Sequence, residues 1–296
     1  MANLIVTAER PVSDPETDPS MRRRTALSFA LASPLLLAAG CSTGPADGQG
    51  GSTGASGEVE DGALPVTLEH AFGSTTVQSA PQRVVTIGWS DQDVVAALGL
   101  VPAAAAKITW GGNAKGSTDW FDEQIRKNSS TNNSSGSAVE RYDDSDGVPL
   151  DEIATFEPDL ILGVNSGMTK AEYAKLSKIA ATVAYPDMPW TTPWRDSTTT
   201  IGAAVGRPDA AKDLVARTEE TIERAKKDLG DLRGKTVAWG WIDPKDTSTL
   251  GLYGSGDLRP QMLREFGMKD APLVAELSRA KKTFDLSLSA ERAEEL

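Results

Sequence analysis

The sequence predicts an α/β protein with two lobes joined by a long helical stretch. Three observations carry this. Between residues 64 and 193, short β-branched runs such as "QRVVTIG" and "EPDLILGV" alternate with helical patterns, as in a parallel sheet. From Trp194 to about Gly230 the chain is almost wholly helix-forming. Strand character then returns in "KTVAWGWID" and "TLGLYG".

Folded sequence is expected to start near Leu64. "LPVTLEHAF" and "STTVQ" read as a hairpin around Gly73. "QRVVTIG" is a strand, and "SDQDVVAALGL" a helix with Ser90 as N-cap, Asp93 completing a capping box, and Gly99 near its end. "VPAAAA" is the next strand. The polar run "KNSSTNNSSGS" (127–137) reads as an exposed loop, because it has nothing apolar to bury. The helix "PLDEIATF" leads into the strand "EPDLILGV". The amphipathic helix "TKAEYAKLSKIAA" precedes the strand "TVAYP". In the helical stretch, Pro208 marks a helix start. Ala211, Leu214, Val215, Thr218, Ile222, Ala225 and Leu229 form an apolar stripe at 3–4 spacing, and Gly230 and Gly234 bracket its end.

The composition excludes several functions. The chain has 296 residues and a net charge of −12. An acidic body lacks the clustered cations that nucleic acid requires, so no nucleic-acid partner is expected. It also lacks the basic patch that an anionic membrane surface would attract. The single cysteine, Cys41, excludes an internal disulfide and any CxxC site. The single histidine, His70, argues against a dedicated zinc, copper or manganese site and against a Ser/His/Asp or Cys/His catalytic set. His70 lies in a strand pattern and reads as structural.

Residues 21–41, "MRRRTALSFALASPLLLAAGC", read as an export segment. Arg22–Arg24 are a basic n-region, and residues 25–40 are apolar but too short to span a bilayer. Ala38, Ala39 and Gly40 precede Cys41 as in a bacterial lipobox, although Leu37 lies one place further out than usual. Cys41 is thus the expected lipidation site, where two acyl chains would suffice for stable anchoring. Both the ordinary and the twin-arginine export routes fit. The Gly/Ser-rich segment that follows reads as a tether; about twenty residues of coil span roughly 25 Å. The expected organisation is: 1–20 an extension or mis-set start, 21–40 signal peptide, 41–63 tether, 64–193 first lobe, 194–233 linker helix region, and 234–296 second lobe.

A weak internal echo relates "PLDEIATFEPDLIL" to "SLSAERAEEL", placing Leu150-Asp151-Glu152-Ile153 over Ser289-Ala290-Glu291-Arg292. The second lobe has about half the residues of the first. The expectation is that it is incomplete and lacks at least a strand and a helix.

Ligands of open α/β sheets bind beyond the carboxyl ends of strands. Aromatic residues gather there. Trp89 follows "RVVTIG", Trp110 follows the next strand, and Trp120 lies in "STDWFDEQ". Trp190 and Trp194 flank "TTP" after "TVAY". Trp239 and Trp241 alternate along one strand and so share a face, and Tyr253 ends the next. Arg259, after "GSGD", is a candidate donor to oxyanions. The competing reading makes each tryptophan a packing residue, Trp194 a cap on the helix that follows, and Arg259 a surface residue.

The stretches "HAFGSTTV", "APQRVVTIGWSDQDVVAALGL", "EPDLILG", "YAKLSKIAATVAY" and "WGWIDPKDTSTLGLYG" occur in an order that resembles the iron-siderophore substrate-binding lipoproteins of bacterial ABC importers. These are the helical-backbone, class III periplasmic-type binding proteins. The resemblance runs from about Leu64 to Leu296. It implies two Rossmann-like α/β lobes joined by a single long helix, small opening motions, and a ligand held between the lobes. It implies a lipid-anchored, extracytoplasmic, monomeric binding protein without enzymatic activity or resident cofactor. The expected partners are a ferric siderophore, an ABC permease and its ATPase.

The siderophore itself coordinates the iron, so the protein would supply no metal ligand, only stacking surface and a few donors. The acidic body and scarce cleft cations suit a neutral or cationic ferric hydroxamate better than a trianionic catecholate. The resemblance also implies a carboxylate from each lobe docking on permease arginines, which the echo maps to Asp151 and Glu291. Asp151 departs from the family's usual Glu, and Glu152 could take its place; the alternative is that both are solvated helix-start acids. Haem or cobalamin capture within the same class stays open, with Tyr253 available as an axial ligand to haem.

Overall fold

The computed structural model describes residues 3–6, 59–131 and 138–296. The expected signal peptide, Cys41 and most of the tether lie outside these residues. Asn3–Val6 form strand β1, which pairs in parallel with β9 (below).

The hairpin forms as read, from β2 (Val66–His70) and β3 (Gly73–Val77), antiparallel with Gly73 opposite His70. His70 is buried, and its Nε2 lies 3.0 Å from the Thr75 hydroxyl. Burial pulls its pKa below the ordinary value. This agrees with a packing role.

The first lobe continues through β4 (Val84–Thr86), α1 (Asp91–Ala97), β5 (Ala104–Ala106), α2 (Asp119–Thr131), β6 (Glu140–Tyr142), α3 (Leu150–Thr155), β7 (Leu160–Gly163), α4 (Lys170–Leu176) and β8 (Ala181–Ala184). The five strands form one all-parallel sheet in the order β6-β5-β4-β7-β8. Helices cover both faces, so strand residues are apolar on both sides. Val84, Leu160 and Leu162 pack into one core with Val95 and Ile201. Val85 and Ile161 point the other way, against Ile153, Tyr142 and Leu176.

Two local expectations are corrected. Ser90 stands at the N-cap of α1, but its backbone is left-handed (φ 70°) and its side chain caps nothing, so the Ser90/Asp93 capping box is absent. Tertiary bonds of Asp91, described below, impose this turn. The polar run at 127–137 is not wholly a loop, since α2 runs through Thr131. Asn128 is buried, donating from Nδ2 to the carbonyls of Ala96 (2.8 Å) and Leu100 (2.9 Å). What it buries is an amide that satisfies the carbonyls at the end of α1.

The connector is two helices, α5 (Trp194–Ala204) and α6 (Pro208–Asp228), the latter about 30 Å long at 1.5 Å per residue. Of the expected α6 stripe, Ala211 and Ile222 are buried while Leu229, just beyond the helix, is exposed. The chain is fixed earlier than Leu64. The Glu60 carboxylate accepts from the N–H groups of Asp209 (2.7 Å) and Ala210 (2.8 Å) in the first turn of α6.

The second lobe comprises β9 (Thr236–Asp243), β10 (Asp246–Tyr253), α7 (Leu258–Glu265), β11 (Lys269–Asp270), α8 (Pro272–Lys281) and β12 (Asp285–Ser289). A 3₁₀ turn, Ala290–Glu295, follows. Its sheet is mixed. β9 and β10 are joined by only two residues and must be antiparallel. β12 pairs antiparallel with β10, and β11 pairs in parallel with β9.

Candidate functional site

The β4–α1 corner places Trp89 at the carboxyl end of the first-lobe sheet. Asp91, fully buried, accepts from the backbone N–H of Val164 (Oδ2, 2.8 Å) and of Asn165 (Oδ1, 3.3 Å). Trp89 N–H donates to the Asn165 carbonyl at 2.9 Å. These bonds stitch the ends of β4 and β7 together. Gly88 is required for the approach, because a Cβ there would overlap the Asp91 carboxylate. Burial pushes the Asp91 carboxyl up to about 7, against the two N–H bonds that lower it.

Trp89 is 44% exposed and faces the second lobe. The Arg259 guanidinium lies 4.9 Å from its ring and 3.5 Å from the ring of Tyr253. Tyr253 in turn stands 4.8 Å from Trp241. The Trp241 ring lies over Gly251 on the neighbouring strand, where any Cβ would clash with it. The lobes thus meet through a row of side chains: Trp89, Arg259, Tyr253, Trp241. Such a row offers aromatic faces and guanidinium N–H donors to a bulky ligand, and no metal-ligating set.

Arg259 is held from below. Asp257 is the N-cap of α7, and its Oδ1 accepts from Arg259 N–H (2.8 Å) and from Arg259 Nε (3.1 Å). Asp257 is 1% exposed. Burial pushes its carboxyl up to about 6, while Arg259 pulls it down. The Tyr253 phenol is also raised, first by burial.

The other expected residues fall elsewhere. Trp190 (φ 62°) stands 6.4 Å from Phe284, a second aromatic pair between the lobes. Trp239 shares its β9 face with Trp241 and is half-buried; it forms no ring or guanidinium stack among the described residues. Trp110 and Trp120 are half-exposed on the segment after β5 and stack on no ring or guanidinium among the described residues. Trp194 opens α5 beneath the Arg195 guanidinium, 4.3 Å away. It belongs to a lobe-to-linker contact: Arg195 donates to Glu219 on α6 (2.6 Å) and to Glu265 on α7 (2.5 Å). Beside the second aromatic pair, a groove of about 930 Å³ is lined by Asp187 and Met188 of the first lobe and by Ser255, Arg264, Arg279 and Lys282 of the second.

Phe284 and Asp257 were not singled out from the sequence. Asp257 carried a legible signal, an Asp directly before a helix start in "GSGDLRP". Phe284 carried none. Asp151 and Glu291 are both exposed, at the start of α3 and in the turn after β12, and neither has an ion-pair partner among the described residues.

Residues 84–293 match the family model described as Periplasmic binding protein. The structure is similar to that of Streptococcus pneumoniae TIGR4 PiaA in complex with ferrichrome, with a TM-score of 0.71, 34% identity and coverage of 77% of this chain and 75% of that one. Among curated proteins of Bacillus subtilis (strain 168), the chain is 28% identical to the probable siderophore-binding lipoprotein YfiY, over 58% of this chain and 48% of YfiY. It is 27% identical to the Fe(3+)-citrate-binding protein YfmC, over 74% of this chain and 64% of YfmC. The chain thus spans about half the length of the first of these relatives and under two thirds of the second.

Proposed function

The chain belongs to the periplasmic binding protein family, and from that premise we propose that it captures a ferric siderophore between its lobes and delivers it to an ABC permease. It binds and carries out no reaction. The observation that carries this reading is the row Trp89–Arg259–Tyr253–Trp241, which spans the lobes with aromatic faces and one guanidinium. The Trp190–Phe284 pair extends that surface. The similarity to the ferrichrome-bound PiaA structure supports a hydroxamate ligand. The Arg259 charge is paired with Asp257, which suits a neutral ferric hydroxamate better than a polyanion.

Arg195 ties α5 and α6 to α7, which supports a body that opens only slightly around the helical connector. In this reading Cys41 carries a lipid anchor, the monomeric body sits on the extracytoplasmic face of the cell membrane, and Asp151 and Glu291 dock on permease arginines. Their exposure and free carboxylates support that role.

Tryptophan fluorescence titrated with ferrichrome, haem and cobalamin tests the ligand. Saturable quenching by ferrichrome at micromolar concentration or below is expected. Quenching by haem or cobalamin alone would overturn the siderophore assignment.

A further inference from the structure

We propose that Asp257 is a positioning residue for ligand capture, fixing the Arg259 guanidinium between the two lobes. The proposal rests on the binding site proposed above and adds the residue that makes the cleft cation usable.

The geometry is specific. An arginine side chain has several rotatable bonds, and ordering it costs about 2 kcal/mol of rotamer freedom. Arg259 is ordered all the same. Its side chain is only 17% exposed, and its guanidinium lies against Tyr253 and near Trp89. Neither ring fixes the rotation of the guanidinium plane. The bond from Nε to Asp257 Oδ1 does, since it anchors one edge of the fork.

Helix capping alone does not explain the carboxylate. Asn or Ser would accept the Arg259 N–H equally well. The second oxygen of Asp257, Oδ2, is buried without a hydrogen-bond partner among the described residues, a costly arrangement for an ionised group. The compensating feature is the charge-assisted bond to Arg259. Asp257 is two residues from the cation it holds, on the same helix start, so the unit is rigid when no ligand is present.

The charged and titratable groups around this unit are few. Arg259 faces Asp257 directly, Tyr253 on β10 lies beneath the guanidinium, and Asp285 on β12 pairs across from Tyr253. Protonation of Asp257 would therefore release Arg259 without exchanging it for another anchor of the same geometry.

The test is a double-mutant cycle in ferrichrome affinity, read by tryptophan quenching, with wild type, Asp257→Asn, Arg259→Gln and the double variant. Ferrichrome is neutral, so the lost charge has no long-range effect on it. Asn keeps the helix cap; Asp257→Ser, which also caps, is the second variant should D257N not fold. The expected result is a roughly tenfold weaker Kd for D257N, with the double variant within twofold of R259Q alone. Wild-type affinity should also fall below about pH 6, and that dependence should be absent in D257N. A D257N affinity within twofold of wild type would overturn the proposal, as would losses that multiply in the double variant. Should wild type not bind ferrichrome at all, the functional reading fails instead. The ¹H–¹⁵N resonance of Arg259 Nε then decides the positioning: slow exchange with water, lost in D257N, supports it, and fast exchange in wild type overturns it.

Discussion

The guanidinium of Arg259, carried by α7 of the second lobe, lies 4.9 Å from the indole of Trp89, carried by the β4–α1 corner of the first. This contact joins the two lobes at the carboxyl ends of the first-lobe strands. Each residue is set by a buried carboxylate two residues away: Asp91 shapes the corner bearing Trp89, and Asp257 holds Arg259.

Trp89→Ala tests the site apart from the fold. Trp89 is 44% exposed, so its removal should change stability by no more than about 0.5 kcal/mol. It removes a stacking face and a cation–π contact, together on the order of 1–2 kcal/mol where desolvated by ligand. Ferrichrome Kd should rise about five- to thirtyfold with an unchanged melting curve. An unchanged Kd would place the ligand elsewhere.

Glu60 should matter to stability although it precedes the expected start of the fold. Pro208 has no N–H, and the next two N–H groups of α6 both donate to the Glu60 carboxylate. Glu60→Ala leaves them unpaired at the positive end of a 21-residue helix. The expected loss is about 1–2 kcal/mol in urea unfolding. Glu60→Gln should recover part of it, because an amide oxygen accepts one of the two bonds.

Much of this was legible in the sequence, and the failures have a common cause. The alternation of strands and helices, the hairpin at Gly73 and the position of Trp89 after a strand follow from local pattern. Ser90 was misread because its left-handed turn is imposed by Asp91 bonding to Val164 and Asn165, more than seventy residues away. Asn128 was misread because a polar run looks unburiable until the carbonyls of Ala96 and Leu100 are brought beside it. Tryptophan positions alone could not tell the row Trp89–Arg259–Tyr253–Trp241 from Trp194, whose partner Arg195 serves the linker. That sorting depends on how the lobes face each other. The mixed second sheet was not legible, since the strand runs "KTVAWGWID" and "TLGLYG" are separated by five residues in the sequence, and only the extension of β10 back to Asp246 leaves the two-residue link that requires antiparallel pairing.

Asn128→Ala gives the converse test of burial. The substitution takes the side-chain donor from the Leu100 carbonyl and one of two donors from the Ala96 carbonyl, which keeps the Gly99 N–H at 3.0 Å. A loss of about 1–3 kcal/mol is expected. Substituting the neighbouring exposed Lys127 with Ala should cost no more than about 0.5 kcal/mol. Equal effects would mean that the segment behaves as a surface loop.

Stability should fall as pH rises through neutrality, and the sign follows from Asp91. Its folded carboxyl titrates near 7, against an ordinary value of 3.8. Between those values the folded chain holds a proton that the unfolded chain has lost, so the stabilisation is present at low pH and disappears as pH passes 7. Asp93 and Asp257, each raised to about 6 by burial, act in the same direction over a lower range. His70, lowered by burial, acts oppositely below its ordinary 6.5. Asp122 and Glu265, held below their ordinary values, act oppositely only near pH 4 and under. Asp91 therefore dominates from about pH 6.5 to 8. The unfolding free energy from urea titration should decline across that window by an amount on the order of 1 kcal/mol in wild type, and the urea midpoint with it. In Asp91→Asn it should be flat, whatever that variant's absolute stability. A midpoint that rises with pH in wild type would show that Asp91 is ionised in the fold well below neutrality.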